Sequence, residues 1–151
     1  MPAPWIGSLS ELANLAPAAG EIALVFVPAE AEAEARAALA QSNSEKGALL
    51  VVDEGSQATG KSTYLGNGYT RLSFSDTPAG WRWVFGACAQ AAGSRVVALG
   101  SRYPALREAA ARQVVYRTAG QNALVGLAFF VPGADMPAMT LNQAKMVLAV
   151  A

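Results

Sequence analysis

Two continuous apolar runs of strand length, with an alanine-rich segment between them, constrain the fold of this chain most strongly. Residues 22–27 (IALVFV) and 48–52 (ALLVV) contain no polar side chain, and Asp53 follows the second run. A strand that faces solvent on one side alternates apolar and polar residues, so these unbroken runs predict strands covered on both faces. Pro28, which suits a first helical turn, and residues 29–41, which are rich in alanine and glutamate, predict a helix between them.

Two further strands and another helix are predicted between residues 69 and 99. Residues 69–75 alternate apolar and polar side chains and predict a third strand, and residues 95–99 (RVVAL) predict a fourth. Asp76 or Thr77 can cap a helix that extends to about residue 93. Strands that alternate with helices are typical of α/β domains. The predicted fold is an α/β layer with a small, mainly parallel sheet of about four strands flanked by helices.

A short helix is predicted ahead of the first strand. Ser8 and Glu11 have the spacing of a capping box, which starts a helix that continues to about Ala16. The sequence PAAG at residues 17–20 ends it. Trp5 and the isoleucine after it can anchor this segment on the rest of the fold.

The last third of the chain is predicted to form an apolar helical hairpin. Residues 118–134 contain no charged side chain, and residues 123–131 are apolar on every helical face apart from Gly126. A helix that is apolar all round is buried in protein or in lipid. This apolar core is about a dozen residues long, which is shorter than the roughly 20 that a membrane span requires. It can be a core hairpin, a re-entrant or interfacial hairpin, or a packing surface for further apolar segments.

Particular residues define the turn and the second helix of this hairpin. The turn contains Pro132, Gly133, Asp135 and Pro137, of which the aspartate can cap a helix or pair with a basic residue. The second helix is predicted to open with a capping box in which Thr140 and Gln143 satisfy each other's backbone N–H groups. The amides of Asn122, Asn142 and Gln143 lie on otherwise apolar helices, so we expect them to hydrogen-bond between helices. No helix stop signal precedes Ala151, so we expect the natural chain to continue.

Charge is scarce and unevenly distributed. Charged residues make up 15% of the chain, against about 25% in an ordinary soluble domain. Residues 1–60 contain eight acidic and two basic residues, whereas residues 61–151 contain nine basic and three acidic ones. A basic half that leads into an apolar end suits the cytoplasmic face of a bilayer, and ordinary solvated helices rich in arginine are the alternative. We divide the chain into an α/β domain, residues 1–104, and a helical extension, residues 105–151.

The absence of histidine and the single cysteine exclude several classes of function. Without histidine the usual Ser-His-Asp and Cys-His catalytic arrangements and the His-rich zinc sites cannot form. Cys88 lies at helical spacing from Val84 and Phe85, so it is predicted to be a small core residue in a reducing cytoplasm. Four arginines between residues 102 and 117 recur every five positions and spiral round a helix, which makes a poor nucleic-acid face. We expect no catalytic residue, no metal, no cofactor and no nucleic-acid partner.

Residues 55–62 (GSQATGKS) match the phosphate-loop pattern G-x-x-x-x-G-K-[ST]. In that motif backbone amides cradle phosphates, the lysine reaches the terminal phosphates, the hydroxyl binds magnesium, and a helix begins at the lysine. Here residues 66–68 (GNG) lie between two β-prone runs and predict a hairpin in place of that helix. A loop and hairpin is the favoured interpretation. Binding of ATP or GTP through Gly55, Gly60, Lys61 and Ser62 is the alternative.

Asp53 and Glu54 follow a predicted strand, where α/β sheets bind ligands. They could form a paired acid site. Adjacent residues on a strand point to opposite faces, however, so we interpret the two carboxylates as a solvated entrance to the loop.

The C-terminal third also resembles a known family in four short stretches. These are residues 103–107 (YPALR), 118–122 (TAGQN), 131–137 (VPGADMP) and 140–143 (TLNQ). They resemble the bacterial membrane-associated domain of unknown function numbered 697, which in other proteins follows an Era-like GTPase domain. The resemblance implies a membrane location and further apolar helices, and it implies no catalytic residue. The α/β part of this chain is not a recognisable GTPase domain.

We therefore expect a non-enzymatic domain, the cytoplasmic part of a membrane-associated bacterial protein that acts through helix packing or protein–protein contact. Its expected partners are the membrane or the remaining apolar segments of a longer chain. A homodimer through the C-terminal helices is also expected. The predicted location is the cytoplasm or the cytoplasmic side of the membrane.

Overall fold

The computed structural model describes residues 22–41, 48–65, 69–128 and 136–150, so the helix predicted at residues 8–16 lies outside the described residues. The chain divides into two compact units, Met1–Ala92 and Gly93–Ala151. In chain order the strands and helices are β1 (Ala23–Pro28), α1 (Glu32–Gln41), β2 (Ala48–Asp53), β3 (Ser62–Tyr64), β4 (Tyr69–Phe74), α2 (Pro78–Ala92), α3 (Val96–Arg102), α4 (Arg107–Ala128) and α5 (Met136–Val150). Short 3₁₀ turns lie at Ala29–Ala31, Gly55–Gln57, Gly93–Arg95 and Pro104–Leu106.

The described part of the first unit contains a four-stranded sheet in the order β1-β2-β4-β3. Strands β1, β2 and β4 are parallel, and β3 is antiparallel to β4. The α/β class is confirmed, but the prediction of a mainly parallel sheet is wrong because the sheet is mixed. The antiparallel pair of β3 and β4 agrees with the predicted hairpin, whose tip at residues 66–68 lies outside the described residues.

The fourth strand was predicted in the wrong place. Arg95 ends a 3₁₀ turn, and residues 96–99 begin α3. The strand that completes the four-stranded sheet is β3, at Ser62–Tyr64. In α3, Val96 and Gly100 are both buried and lie four residues apart, which is the period of a helix face. The β-branched pair at Val96 and Val97 suits a strand by composition, but packing overrides that weak preference.

The two faces of the sheet are covered by different helices. On one face, Val25 and Val27 of β1 and Leu50 and Val52 of β2 pack with α1, which contributes Ala35 and Leu39. Helix α2 contacts the opposite face, where Trp81 packs against Phe74 of β4. Strand β2 is buried from Ala48 to Val52, as the sequence predicted.

Strand β1 departs from the expected burial on both faces. It is an outer strand of the described sheet. Val25 and Val27 are buried, but Leu24 is 43% exposed and Phe26 is 47% exposed. The unbroken apolar run at residues 22–27 therefore does not indicate a central strand.

Two further predictions in the described part of the first unit are confirmed. The helix predicted at residues 29–41 is present as a 3₁₀ turn followed by α1. Helix α2 begins with Pro78, and the Oγ1 atom of Thr77 accepts a hydrogen bond from the Gly80 backbone N–H at 3.0 Å. Thr77 is therefore the cap, whereas Asp76 accepts a hydrogen bond from the Trp81 indole at 2.9 Å.

The second unit consists of helices in its described part. An ideal Cβ placed on Gly100 of α3 would lie 2.8 Å from the Cβ of Ala110 on α4, so the glycine permits a close approach of these helices. Helix α4 follows the predicted helical region as far as Ala128. Helix α5 begins at Met136, so the predicted start at Thr140 is wrong. The turn at residues 129–135 lies outside the described residues, and the helical hairpin stays a prediction.

Substitution of Gly60 by alanine is expected to lower the free energy of unfolding by about 2–4 kcal/mol, because the residue has a positive φ and no room for a side chain. Its φ is 66°, and an ideal Cβ would lie 2.3 Å from the Trp83 ring. The control is Gly86→Ala in α2, where no atom lies within 4 Å of the added methyl. That change should be neutral or stabilising by up to about 1 kcal/mol. Urea denaturation measures both, and equal stabilities of G60A and G86A would contradict the packing described.

The thiol of Cys88 is expected to react slowly in the native protein. It is the single cysteine of the sequence, it is buried, and burial raises its pKa to about 11. At pH 7 a rise of this size lowers the thiolate fraction by about 100-fold. Labelling with a thiol reagent should therefore be at least about 100-fold slower in native protein than in urea. Comparable rates in the two states would show that the α2 side of the core is open.

Candidate functional site

The phosphate-loop-like residues do not adopt the geometry that their sequence pattern implies. Gly55 starts a 3₁₀ turn directly after β2, and its backbone N–H donates a hydrogen bond to Oδ1 of Asp53 at 3.0 Å. That amide is consequently engaged by a carboxylate. Lys61 is followed by strand β3, so Ser62 lies opposite Leu72 in an antiparallel pair. The helix N-terminus that a phosphate loop uses to hold its ligand does not follow this lysine.

The same loop is attached to β4 by backbone and side-chain hydrogen bonds. The Ser73 N–H donates to the carbonyl of Lys61 at 3.1 Å. The Thr59 N–H donates to the Ser73 Oγ atom at 2.9 Å. Binding of ATP or GTP through Gly55, Gly60, Lys61 and Ser62 remains the alternative prediction, and no contact of these residues favours it.

The adjacent carboxylates of Asp53 and Glu54 do not form a paired site. Asp53 is exposed, and its side chain accepts the Gly55 N–H described above. Glu54 instead contacts Arg71 and Ser73 of β4. The two acids therefore have separate partners. At the expected loop entrance Asp53 is exposed to solvent, whereas Glu54 is hydrogen-bonded to Arg71 and Ser73.

A cluster of Glu32, Arg71 and Glu54 lies on the α1 face of the sheet, and we call it the Arg71 cluster. The guanidinium donates from Nε to Oε1 of Glu32 at 2.7 Å and from Nη2 to Oε2 at 2.9 Å. The Nη2 atom also donates to Glu54. Bidentate pairing of this kind is the strongest geometry for arginine and carboxylate. The cluster connects the start of α1, the end of β2 and the middle of β4.

The position of Arg71 explains why it needs two partners. Its register partner in β2 is Leu50, which is buried in the core under α1. The side chain is 21% exposed, as is that of Glu32, and Glu54 is 24% exposed. A charge removed from water to this extent is stable only when it is paired and hydrogen-bonded.

The electrostatics of the cluster keep all three groups charged at neutral pH. The hydrogen bond from Arg71 lowers the pKa of Glu32 below its ordinary value. The pKa of Glu54 is lowered first by the hydroxyl of Ser73 and then by Arg71. The pKa of Arg71 is raised by both carboxylates. No member is suited to proton transfer near pH 7, so the Arg71 cluster has a structural role.

Sequence analysis missed the Arg71 cluster, although one signal for it was present. Residues 69–75 alternate, and Arg71 falls on the same strand face as Tyr69 and Ser73. A charged residue on the core face of a strand requires a carboxylate nearby. The sequence did not show that Glu32 and Glu54 would supply it, because they are separated from Arg71 by 39 and 17 positions.

The family-like residues of the C-terminal unit fall on two helices or outside the described residues. Asn122 lies on α4, and its Oδ1 atom accepts a hydrogen bond at 2.9 Å from Nδ2 of Asn142 on α5. This is the expected hydrogen bond between helices. Thr140 donates to the carbonyl of Met136 at 2.8 Å within α5, so it does not cap the helix. Pro137 and Gln143 are exposed on α5, whereas Pro132, Gly133 and Asp135 lie outside the described residues.

Helix α5 exposes a set of large apolar side chains, which we call the C-terminal apolar surface. Among the 15 residues of α5, none is buried. Leu141 is 55% exposed and Leu148 is 80% exposed. The full set is Met136, Leu141, Val147, Leu148 and Val150, together with Leu124 of α4.

The sequence of the C-terminal unit has an excess of positive charge. Residues 93–151 contain six basic and two acidic residues, whereas residues 1–92 contain five basic and nine acidic ones. The sequence of α5 has one charged residue, Lys145. The C-terminal unit therefore combines exposed apolar helix faces with an excess of positive charge.

Two other kinds of site are absent from the described residues. No described helix has both the length and the apolar character of a membrane span. In the same ranges, no three metal-binding side chains of histidine, cysteine, aspartate or glutamate come together. Comparison of the chain with protein-family models, curated proteins and solved structures found no match.

A change of Glu32 to glutamine is expected to remove part of the acid sensitivity of the fold. The folded-state pKa of Glu32 lies below its ordinary value of 4.5. The ion pair therefore stabilises the protein above about pH 4.5, and this stability is lost as the pH falls through the lowered folded pKa. At pH 7 the variant should lose about 1–3 kcal/mol of unfolding free energy, and this deficit should shrink as the pH falls below 4.5.

The matched control is Glu34→Gln, which makes the same chemical change at an exposed position of α1. Urea unfolding at pH 7 and pH 3 supplies the comparison. If E32Q and E34Q lose the same stability at pH 7, or if the difference between them is as large at pH 3 as at pH 7, the Arg71 cluster does not stabilise the fold through ionised Glu32.

Proposed function

We propose that this protein is a non-enzymatic, membrane-associated module that binds a lipid surface with acidic headgroups through its C-terminal helices. The proposal rests on the C-terminal apolar surface, because the large apolar side chains of α5 are exposed. An exposed apolar patch on a soluble domain marks an interaction site. The resemblance of residues 103–143 to the membrane-associated domain numbered 697 supports the same class of function.

The distribution of side chains on α5 suits a helix that lies in the plane of the membrane interface. Leu141, Lys145 and Leu148 are spaced i, i+4 and i+7, so they form one stripe along the helix. The leucines can enter the acyl region while the lysine extends its amine to the headgroups. Asn142 follows Leu141 in sequence, so it lies about 100° round the helix from it, and it faces α4 through its hydrogen bond to Asn122.

Electrostatics favour acidic over neutral headgroups. The excess of basic residues in residues 93–151 is spread over α3, α4 and α5. Each basic residue near an anionic membrane surface contributes about 1 kcal/mol. The location that fits this arrangement is the cytoplasmic side of a bacterial membrane.

The double change Leu141→Asp and Leu148→Asp tests the proposal. Wild type should float with vesicles that contain acidic phospholipid, and the double variant should partition at least about 100-fold less, because each leucine contributes roughly a factor of ten or more. The control is Tyr64→Asp, which changes a 70% exposed aromatic residue on β3 in the first unit. That variant should float like the wild type, and circular dichroism should show equal helix content in all three proteins.

Two results would contradict the proposal. One is wild-type protein that stays in the soluble fraction with acidic vesicles at both low and high salt. The other is a double variant that floats as well as wild type. If wild type stays soluble and is a dimer by light scattering, while the double variant is a monomer, the surface binds a second copy of this chain.

A further inference from the structure

Helix α5 carries apolar side chains both on its exposed side and on the side that packs against α4. The exposed side includes Leu141, Val147 and Leu148. The partly buried side chains lie within about 60° of Asn142 round the helix. They are Ala138, Met139, Met146 and Ala149, together with Asn142 itself. Apolar burial has no preferred direction, so it does not by itself decide which side of α5 faces α4.

The charge on α5 does not decide this orientation either. Lys145 is the one charged residue in the sequence of α5, and it is exposed. It lies about 60° from Asn142 round the helix. Because the lysine stem is long and flexible, its amine can reach water from several rotations of the helix.

One polar contact between the two helices does depend on the rotation of α5. The Nδ2 atom of Asn142 donates to Oδ1 of Asn122 at 2.9 Å, and both side chains are partly buried. Within the described parts of α4 and α5, no other side-chain hydrogen bond joins the two helices. A rotation of α5 by about 100°, which corresponds to one residue, moves the Cα atom of Asn142 by about 3.5 Å. A displacement of this size breaks the hydrogen bond.

Breaking this hydrogen bond is costly because it leaves a partly buried amide on each helix without its partner. In coiled coils a single asparagine in an apolar helix contact fixes the register of the helices, at some cost in stability. The pair of Asn122 and Asn142 has the same character. It therefore distinguishes between rotations that apolar burial leaves nearly equal in free energy.

We infer that the hydrogen bond between Asn122 and Asn142 fixes the rotation of α5 about its axis, so that both asparagines are positioning residues for the C-terminal apolar surface. They hold Leu141 and Leu148 on the exposed side of the helix. The consequence for membrane contact rests on the proposed function, whereas the orientation of α5 does not.

The double change Asn122→Leu and Asn142→Leu tests the inference. It replaces both partners by apolar side chains and leaves no unpaired amide, so the midpoint of urea unfolding should be unchanged or higher. At the same time it frees α5 to adopt other rotations. The matched control is Gln121→Leu with Gln143→Leu, which removes two exposed amides from the same helices.

Thiol labelling in the full chain reports the rotation. Cys88→Ala provides a background without cysteine. In that background Leu141→Cys places a thiol on the exposed side of α5, and Met146→Cys places one on the side that faces α4. With the asparagine pair intact, the first thiol should react at least about tenfold faster than the second. In N122L/N142L this ratio should fall to about threefold or less, and in Q121L/Q143L it should stay at about tenfold.

Three results would overturn the inference. The first is a labelling ratio in N122L/N142L that lies within about twofold of the ratio with the asparagines intact. The second is an equal fall of the ratio in Q121L/Q143L. The third is a lower urea midpoint with loss of helix content in N122L/N142L, because the pair would then hold α5 in place without selecting its rotation.

The labelling measurement contains no vesicles, so its outcome is separate from that of lipid binding. A ratio that falls as expected, combined with wild-type protein that does not float with acidic vesicles, supports the orientation by the asparagine pair and contradicts the proposed function. An unchanged ratio combined with flotation of the wild type overturns the inference and supports the proposed function.

Discussion

The need to cover apolar surface governs both units of this molecule, and the two units meet it differently. In the first unit the sheet places β2 between α1 and α2, so its residues from Ala48 to Val52 are buried. In the second unit, none of the residues of α5 is buried. Apolar burial is the main favourable term in folding, and an uncovered apolar helix is correspondingly a surface that binds something. This contrast is the physical basis for the proposal that α5 binds a partner surface, although the sheet has the more familiar ligand-binding architecture.

The Arg71 cluster shows what happens at the position where ligands usually bind in an α/β sheet. The guanidinium is bonded to both Glu32 and Glu54, and the hydroxyl of Ser73 is bonded to Glu54 and to the Thr59 amide. These polar groups satisfy one another. Their contribution is to join α1, the end of β2 and β4, and to hold the loop at residues 55–61 against the sheet. The loop that matches a phosphate-binding pattern is therefore hydrogen-bonded to Ser73 beside the Arg71 cluster, and it leads into the β3–β4 pair.

Much of the fold could be predicted from sequence where local signals agree, as with the apolar run of β2 and the Thr77 cap before Pro78. Prediction failed where tertiary context decides. The Val96–Val97 pair suits a strand, yet Val96 and Gly100 form a buried helix face. Met136 begins α5 ahead of the capping-box pattern at Thr140, and the Thr140 hydroxyl donates to the Met136 carbonyl within the helix. The Arg71 cluster joins residues far apart in sequence, so local pattern could not identify it. A hydrogen bond between helices was expected from Asn122, Asn142 and Gln143 on otherwise apolar helices, and Asn122 and Asn142 form one.

Hydrogen–deuterium exchange of the full chain, with and without vesicles of acidic phospholipid, would locate the contact between α5 and the membrane. Backbone amides of α5 should exchange at least about tenfold more slowly when vesicles are present, while those of β2 should be unchanged. Absence of protection in α5, or protection confined to the sheet of the first unit, would contradict the proposed lipid binding through α5.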